Sequence, residues 1–404
     1  MSEIKTRTGW IKSIRTQKHF TFISCTDGRD SEFQITLPKD LIVDGELKDG
    51  ASFNCEGEDS ITPRGSYEFK ATAFKIVGPS DETYPIQPKE HSKEFLRTIP
   101  QHRGRTRELQ ATWKIRSLVS QEIHNFFARK GFYQYFAPII TKSDCEGAGQ
   151  TFKVKSDWMD DAHLTVSAQL EGEVGMMSLG KVYVFGPCFR AEKSATRKHL
   201  SEFWMLEPEM AFYDLEKTMD LAEELVKRLI STVQIYYPDD LKMLDWQDDT
   251  AETIAFKRIA GYNWKRVTYD EIAKKFGIPY GQDINAETEK LIADKYGPTF
   301  VTHYPADLKP FYMKKKDGKA MCFDLIFPEV GELIGGSERE EDYEILKTEM
   351  EKSGLDMSKM QWYLDTRKYG TVPHAGFGLG IERLIMYITK AEKVHDTIPF
   401  PVSF

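Results

Sequence analysis

Residues 185–203, FGPCFRAEKSATRKHLSEF, place a charged loop between two apolar runs. The flanking runs, KVYVFGPCF before the loop and FWMLEPEMAF after it, are rich in β-branched and aromatic residues and predict two neighbouring strands. Arg190 and Glu192 lie two residues apart, so an extended chain presents both side chains on one face. One interpretation is a surface hairpin with a charged tip, and the other is a site that holds an anion between the strands.

The composition is that of an ordinary globular protein, with 40% hydrophobic and 29% charged residues in a chain of 404. This length allows two domains, one of them with a large core.

The sequence contains no apolar run long enough to cross a bilayer, and its start, MSEIKTRTGW, lacks the apolar region of a secretory signal. Five scattered cysteines without CxxC spacing predict reduced, mostly buried thiols in a cytoplasmic protein, and a net charge of -8 argues against indiscriminate coating of nucleic acid.

Residues 1–80 consist of short strand-like runs separated by turns, which suits a small β-barrel of the OB type. The runs are GWIKSI, HFTFISC, SEFQITL, ASFNCEG and YEFKATAFKIV. The sequence GPSDETYPIQPKE predicts a linker, and we assign a linker or hinge to residues 81–104. The basic residues between Arg97 and Arg116 are most simply interpreted as a solvated helix face, and the alternative is a basic surface beside the linker for a nucleic-acid backbone.

Residues 105–404 predict a larger domain of the α+β class. Apolar residues recur at helical spacing from Arg105 to Lys130, and a second helix is expected from Leu215 to Tyr236, ahead of Pro238. Strand-like runs outnumber helices around the charged loop, and there is no regular βαβ alternation. We therefore expect an antiparallel sheet flanked by helices.

Two further segments carry candidate ligand-binding residues. FDLIFPEVGELIGGSEREE contains Asp324, Glu332 and Arg339, and GFGLGIERL leads from alternating glycines into a helix with Arg383. Each segment alone has an ordinary structural explanation. The two carboxylates of the first segment can be unrelated, and the glycines of the second can simply permit close packing. Together with the charged loop they supply guanidinium groups for phosphoryl oxygens, carboxylates for Mg²⁺, small residues where a ligand approaches the backbone, and an aromatic ring, Phe203, for a purine. The combination predicts a site for a nucleoside triphosphate.

These segments resemble the motifs of the class II aminoacyl-tRNA synthetases, in the aspartyl, asparaginyl and lysyl subgroup, whose N-terminal OB-fold binds the anticodon. The resemblance runs from GWIKSI to DTIPFP, which is practically the whole chain. The segments SDCEGAG, VSAQLEGE, EFWMLEPEMAF, VGELIGGSERE and YGTVPHAGFGLGIERL resemble asparaginyl-tRNA synthetases more closely than their aspartyl relatives. The resemblance therefore implies an N-terminal OB-fold barrel followed by a class II catalytic domain.

The resemblance also implies an ATP site. Arg190 would grip the α-phosphate, Phe203 would stack on adenine, and Arg383 would clamp the γ-phosphate. Glu192 would lie against the adenylate, and His199, with Lys198 or Arg197, would reach the outer phosphates, while Asp324 and Glu332 would hold Mg²⁺. The ATP-binding residues are thus expected to be Arg190, Glu192, Lys198, His199, Phe203, Glu332 and Arg383, with Arg190 and Arg383 catalytic.

For the amino acid, the resemblance places Glu146, Ser167 and Gln169 around its α-amino group. A buried side-chain amide needs a donor for its oxygen and an acceptor for its nitrogen. Arg339 can donate, and the resemblance places Glu207 where it can accept from the amide. The aspartate-specific relatives carry a lysine shortly after the residues that correspond to QL, and this chain reads QLEGE there, so we expect asparagine as the substrate rather than aspartate.

The resemblance assigns anticodon recognition to Arg15, Phe22 and Gln34, since unstacked bases are read by aromatic stacking and edge hydrogen bonds. The alternative for Phe22 is that either Phe20 or Phe22 points into the barrel core. Pro138 matches a motif proline at the dimer interface of these enzymes, which implies a homodimer.

The implied activity is that of an asparaginyl-tRNA synthetase, which uses ATP to activate L-asparagine as asparaginyl-adenylate and transfers it to tRNA(Asn). The amino acid's own carboxylate attacks the α-phosphorus in line, so positioning and charge neutralisation suffice and no side-chain nucleophile is needed. The alternatives are an aspartyl-tRNA synthetase, an asparagine synthetase derived from this fold, and an inactive RNA-binding paralogue. The N-terminal barrel argues against the synthetase-derived asparagine synthetase, and the retained Arg190, Asp324, Glu332 and Arg383 argue against the inactive paralogue.

Overall fold

The computed structural model describes residues 4–28, 32–62, 65–142, 151–193, 196–246 and 250–403. The chain divides into two compact units, Met1–Gln110 and Ala111–Phe404. The boundaries predicted near residues 80 and 104 stay predictions.

The first unit is built around a small barrel. Its strands are β1 (Lys5–Thr16), β2 (Phe20–Thr26), β3 (Glu32–Pro38), β4 (Val43–Asp44), β5 (Ser52–Ile61) and β6 (Tyr67–Gly78), and its short helices are α1 (Lys93–Thr98) and α2 (Pro100–Arg103). β1 pairs antiparallel with β2 and β5, β2 with β3, and β5 with β6. A parallel pairing of β3 with β6, at Ile35 and Phe69, closes the ring. The interior is apolar, and the unit has the OB-like architecture that the sequence predicts.

The second unit combines a large sheet with helices on both faces. Its first elements, from the helix that spans the division, are α3 (Arg107–Arg129), β7 (Tyr133–Gln134), β8 (Ile140–Thr141), β9 (Lys153–Val154), β10 (Ala162–Leu164), α4 (Gln169–Leu179), β11 (Lys181–Phe189), β12 (Glu202–Ala211), α5 (Leu215–Tyr236), α6 (Pro238–Met243) and α7 (Ala251–Arg258). The remaining elements are β13 (Lys265–Thr268), α8 (Tyr269–Phe276), α9 (Ala286–Tyr296), β14 (Thr299–Thr302), β15 (Lys315–Lys316), β16 (Lys319–Ala320), β17 (Cys322–Phe327), β18 (Gly331–Glu338), α10 (Tyr343–Lys352), α11 (Met357–Asp365), β19 (His374–Gly380) and α12 (Ile381–Thr389).

The strand order of the large sheet is β13-β14-β17-β18-β19-β12-β11-β7. The six strands from β14 to β11 are antiparallel, as predicted. The outermost pairs, β13 with β14 and β7 with β11, are parallel, which the sequence analysis did not predict because these edge strands are too short to show a pattern. The α+β fold class is confirmed.

The two long predicted helices cover one face of this sheet. α5 has the predicted bounds, and Asp214 caps it by accepting from the Lys217 N–H at 2.8 Å. Apolar residues of α3 and α5, among them Ile115, Ile123 and Leu225, are fully buried in one core with the sheet. A second core in the same unit contains residues from α8 to α11 together with Val301, Cys322 and Ile326, which alternate along β14 and β17 with residues of the first core. These cores fix the strands that carry the candidate site.

The basic run from Arg97 to Arg116 is not a single solvated face, so that interpretation is wrong. Within the first unit, Arg105 donates to the Gly50 carbonyl at 3.0 Å. Within the second unit, Lys114 bonds the Asp240 carboxylate and Arg116 donates to Glu382 at 2.6 Å. The charges are largely used inside the two units, which a count of basic residues cannot reveal.

Two predictions from composition can be compared with the structure. Among the described residues, Cys25, Cys55, Cys188 and Cys322 are buried free thiols, as predicted, and Cys145 lies outside the described residues. No helix in the described part of the chain has both the length and the apolar character needed to cross a membrane.

Candidate active site

All seven residues predicted to bind ATP line one cavity of about 210 Å³ in the second unit. They come from the ends of β11 and β12, the charged loop between them, β18 and α12. The lining includes Arg190, Glu192, Lys198, His199, Phe203, Glu332 and Arg383, together with Gly335, Gly378 and Gly380. The structure thus brings together segments that are far apart in the sequence, and the individual roles of these residues stay predictions.

The register of β11 and β12 explains why Arg190 and Phe203 lie together. Cys188 pairs directly with Phe203, and Arg190 follows two residues later on the same side of the chain. The Arg190 N–H donates to the Ser201 carbonyl at 3.0 Å, which extends the pairing beyond the last strand residue. Its guanidinium carbon lies 5.3 Å from the centre of the Phe203 ring. An anion and a flat ring system can therefore be held side by side at this position.

The loop after Arg190 points two basic side chains into the cavity. Burial lowers the pKa of Lys198, and the Glu289 carboxylate opposes this effect. Burial also lowers the pKa of His199, with a further contribution from the positive charge of Arg383. The imidazole of His199 shares a hydrogen bond with the Thr196 hydroxyl at 2.6 Å. Burial and the neighbouring positive charge therefore disfavour the charged form of His199.

Glu332 lines the same cavity, and Asp324 lies near it where β17 and β18 pair. Gly335 is the register partner of Asp324. A Cβ at Gly335 would lie 3.1 Å from Glu332 Oε1 and 3.7 Å from Asp324 Oδ1, so these two oxygens converge over the glycine. Burial and the charge of Asp324 raise the pKa of Glu332 to about 7. Two like charges held this close favour a bound cation.

This donor set fits Mg²⁺ that is shared with a triphosphate. In the described residues no group of three or more His, Cys, Asp or Glu side chains could hold a metal on its own. Mg²⁺ commonly takes one or two protein carboxylates and fills its other positions with water and substrate phosphates. Asp324 and Glu332 supply the protein part of such a set, beside Arg383, whose guanidinium donates to the Glu332 carbonyl at 2.5 Å.

A contact through Glu382 fixes the start of α12, which carries Arg383. The buried Glu382 carboxylate accepts from the Trp204 N–H at 3.0 Å and from Arg116 at 2.6 Å. The hydrogen bond from Trp204 to Glu382 joins the neighbour of Phe203 on β12 to the neighbour of Arg383 on α12. Two groups on opposite sides of the cavity are therefore held by one carboxylate that the sequence analysis did not single out.

The residues predicted to bind the amino acid fall into two places. Glu207 is buried and accepts from the Ser167 hydroxyl and, at 3.0 Å, from the Ala168 N–H. Gln169 begins α4 immediately afterwards, and its N–H donates to Ser167 Oγ at 3.2 Å. Arg339 lies apart from this group at the end of β18. Glu146, the remaining predicted residue, lies outside the described residues.

Arg339 is paired with Glu209, a residue that the sequence analysis missed. Two bonds join the Arg339 guanidinium to the Glu209 carboxylate, one of them from Nε at 3.1 Å, and both side chains are fully buried. A Cβ at Gly376 would lie 2.1 Å from Glu209 Oε1, so the carboxylate packs directly on the backbone of β19. Burial acts to raise the pKa of Glu209, and the charge and hydrogen bonds of Arg339 oppose this effect. The strand alternation was the available signal, because Glu209 follows Glu207 by two residues and shares its face of β12.

A buried network supports this pair from behind. Glu173 on α4 accepts from Arg367 at 2.5 Å, from the Tyr363 hydroxyl at 2.9 Å and from His374 at 3.0 Å. The contacts tie α4 to α11 and β19, so that the Arg339–Glu209 pair sits on a rigid base.

In the first unit, the three predicted anticodon residues lie on the outer face of the barrel. Arg15 and Phe22 are direct partners across β1 and β2, with the guanidinium carbon 5.2 Å from the ring centre. Gln34 faces Ser24, two residues from Phe22, on the neighbouring strand. Thr21, Ile23 and Cys25 are buried, whereas Phe20 and Phe22 are not.

The alternative that Phe20 or Phe22 points into the barrel core is therefore wrong. Residues two apart on a strand share a face, and here that face is the outer one. Whether these residues read an anticodon stays a prediction.

Comparison with known proteins adds an independent result. Residues 95–403 match the family model described as tRNA synthetases class II (D, K and N). The fold and the cavity thus belong to a class II synthetase.

Similar proteins of known identity indicate which class II synthetase family the chain belongs to. An asparagine–tRNA ligase of Desulfotalea psychrophila is 42% identical over 99% of this chain and 95% of its own length. One from a Nostoc species is 41% identical over 97% and 94%. The crystal structure of asparaginyl-tRNA synthetase from Pyrococcus horikoshii complexed with asparaginyl-adenylate has a TM-score of 0.91 and 31% identity, covering 100% of this chain and 95% of that one. The chain belongs to the asparagine–tRNA ligase family of class II synthetases, which confirms the resemblance inferred from its motifs.

The geometry predicts that Arg190→Ala lowers asparagine-dependent ATP–pyrophosphate exchange about 100- to 1,000-fold, the usual cost of removing one donor that faces developing charge. The matched control is Arg129→Ala, because Arg129 is an exposed arginine on α3 that pairs with Glu122 at 3.6 Å. Circular dichroism checks that both variants are folded. Exchange at the unmodified rate in the Arg190 variant contradicts the site assignment.

Proposed function

We propose that this protein activates L-asparagine with ATP to form asparaginyl-adenylate and then transfers the asparaginyl group to tRNA(Asn). The observation that carries the proposal is the single cavity shared by the predicted ATP-binding residues, in a chain of the asparagine–tRNA ligase family. The proposal includes Mg²⁺ held by Asp324 and Glu332, a homodimer, and a location in the cytoplasm.

In the activation step, the chain positions and neutralises charge. Arg190 binds the α-phosphate and Phe203 stacks on adenine, so the α-phosphorus lies above the end of β12. Glu192 orients the adenylate, and Lys198, His199 and Arg383 receive the outer phosphates that leave as pyrophosphate. Mg²⁺, when bound, offsets the charge on the phosphates. Since the amino acid carboxylate is already ionised, its oxygen attacks in line and no protein base is required.

Asparagine is selected by the buried ion pair that the structure reveals. Arg339 donates to the side-chain oxygen of the substrate, and Glu209 accepts from its NH₂ group. Ser167, Gln169 and Glu207 lie together at the start of α4 and surround the α-amino group, with Glu146. The sequence suggested Glu207 as the residue that accepts from the amide. We propose Glu209 in its place, because Glu209 is the carboxylate that contacts Arg339. An aspartate carboxylate would face Glu209 and be repelled.

The outer face of the barrel binds the anticodon. Arg15 and Phe22 already stack on each other and offer a platform for an unstacked base, and Gln34 offers hydrogen bonds to a base edge. The homodimer forms through the region around Pro138. Phe136 is 81% exposed and Tyr133 on the edge strand β7 is 59% exposed, which are apolar surfaces that a second copy can cover.

The primary test is ATP–pyrophosphate exchange with asparagine, with aspartate and with neither amino acid, followed by charging of tRNA. We expect exchange with asparagine alone. Exchange with aspartate and not asparagine would establish an aspartyl-tRNA synthetase, and absence of exchange would favour the inactive RNA-binding paralogue. Release of free asparagine from aspartate, ATP and ammonia would identify the asparagine synthetase alternative.

The variant Glu209→Gln tests whether Glu209 accepts a hydrogen bond from the side-chain amide of asparagine. We expect asparagine-dependent exchange to fall about 100-fold, because the amide loses its charged acceptor and a buried Arg339 loses its partner. Exchange with aspartate should rise relative to exchange with asparagine. The matched control is Glu224→Gln, at an exposed glutamate on α5 that pairs with Lys130. Unchanged discrimination between the two amino acids would remove Glu209 from the specificity pocket.

The variant Phe22→Ala tests the anticodon face. Stacking of one base on an aromatic ring contributes about 1–3 kcal/mol, so KM for tRNA should rise about tenfold or more while amino acid activation is unaffected. Ile61→Ala is the control, at an apolar residue 73% exposed on β5 of the same barrel. Equal KM values for the two variants would mean that Phe22 does not read the tRNA.

A further inference from the structure

The carboxylate pair of Asp324 and Glu332 has a cation of its own, which the proposed mechanism does not use. Lys309 follows the 3-10 turn Ala306–Leu308, and its ammonium donates to Asp324 Oδ2 at 2.6 Å. The side chains of Lys309 and Asp324 are only 13% and 11% exposed. The ammonium also lies 4.0 Å from the centre of the Tyr304 ring. Lys309 is thus enclosed between a carboxylate and an aromatic face.

This contact determines which oxygen of Asp324 remains for a ligand. Oδ2 is bonded to Lys309, whereas Oδ1 is the oxygen that converges with Glu332 Oε1 over Gly335. The carboxylate therefore cannot turn without breaking the buried ion pair. Asp324 Oδ1 and Glu332 Oε1, the two oxygens beside Gly335, therefore have fixed positions before a cation arrives.

Lys309 also sets the charge of the pair. Its ammonium nitrogen lies 2.6 Å from Asp324 Oδ2, and both side chains are largely buried, so the two form a close ion pair. Asp324, Glu332 and Lys309 together carry one negative charge when both carboxylates are ionised, in place of two. A free divalent cation is then attracted less strongly than two isolated carboxylates would attract it.

We propose that Lys309 is a positioning residue for the metal site, which orients Asp324 and keeps the affinity for free Mg²⁺ low, so that Mg²⁺ binds together with the triphosphate. The inference rests on the proposed function, in which Asp324 and Glu332 hold Mg²⁺. Mg²⁺ gives up its water reluctantly and is usually completed by substrate phosphates. A weak protein site of this kind leaves the charged cavity open for the nucleotide to enter with its metal.

The test is a measurement of divalent-cation binding without nucleotide. Lys309→Met keeps the length of the side chain and removes its charge, and Lys309→Arg keeps the charge. Titration with Mn²⁺ followed by electron paramagnetic resonance should show about ten- to hundredfold tighter binding to the methionine variant than to the unmodified protein. The arginine variant should bind like the unmodified protein. Equal Mn²⁺ affinity of the methionine variant and the unmodified protein would overturn the proposal.

Two more variants distinguish a failure of the proposed role of Lys309 from a failure of the Mg²⁺ site formed by Asp324 and Glu332. Asp324→Asn should weaken binding of ATP in the presence of Mg²⁺, and if it does not, the assigned metal site itself is wrong. The double variant Lys309→Met with Asp324→Asn removes both charges of the buried Lys309–Asp324 ion pair. It should melt at a higher temperature than Lys309→Met alone, because a lone buried carboxylate is the destabilising element. Equal melting temperatures would show that the two side chains are not coupled and would contradict the proposed positioning role.

Discussion

The antiparallel register of β11, β12, β19 and β18 is the constraint on which the candidate site depends. It sets Arg190 beside Phe203 and brings Glu209 against the backbone of Gly376. It also places Gly335 opposite Asp324 through the neighbouring strand β17. A shift of one residue would turn these side chains to the other face of the sheet, into the apolar cores. The site is therefore a property of strand pairing, and the loops add to it.

Several charged side chains are buried beside the apolar cores, and each of them pairs with a side chain of opposite charge. Glu209 faces Arg339, Glu173 faces Arg367 and His374, and Asp324 faces Lys309. Each group alone would be costly to bury, and each pair fixes the orientation of a side chain. Among the described residues, the cavity is lined by three cationic side chains, Arg190, Lys198 and Arg383, and by three carboxylates, Glu192, Glu332 and Glu382, a set that suits a triphosphate with its metal. Rigidity of the pairs prepares the site for a substrate whose charge shifts during the reaction.

Much of this organisation could be predicted from the sequence. The bounds of α5 followed from apolar periodicity and Pro238, and the residues predicted to bind ATP, which line one cavity, came from three motifs and the family resemblance. Glu209 was missed because a carboxylate two residues from another looks like a repeated surface charge until its partner, more than a hundred residues away, is known. Lys309 was missed for the same reason. Long-range partners are fixed by the three-dimensional pairing, and no local pattern encodes them.

In the proposed function, the Glu209–Arg339 pair binds the side-chain amide of asparagine in the same site where Arg190 and Phe203 bind ATP. The most direct test of this proposal is a crystal structure of this protein with a non-hydrolysable analogue of asparaginyl-adenylate. We expect the side-chain amide within hydrogen-bond distance of both Glu209 and Arg339, and the adenine stacked on Phe203. An analogue bound with its amide away from that pair, or with its adenine outside the cavity, would contradict the proposed binding site.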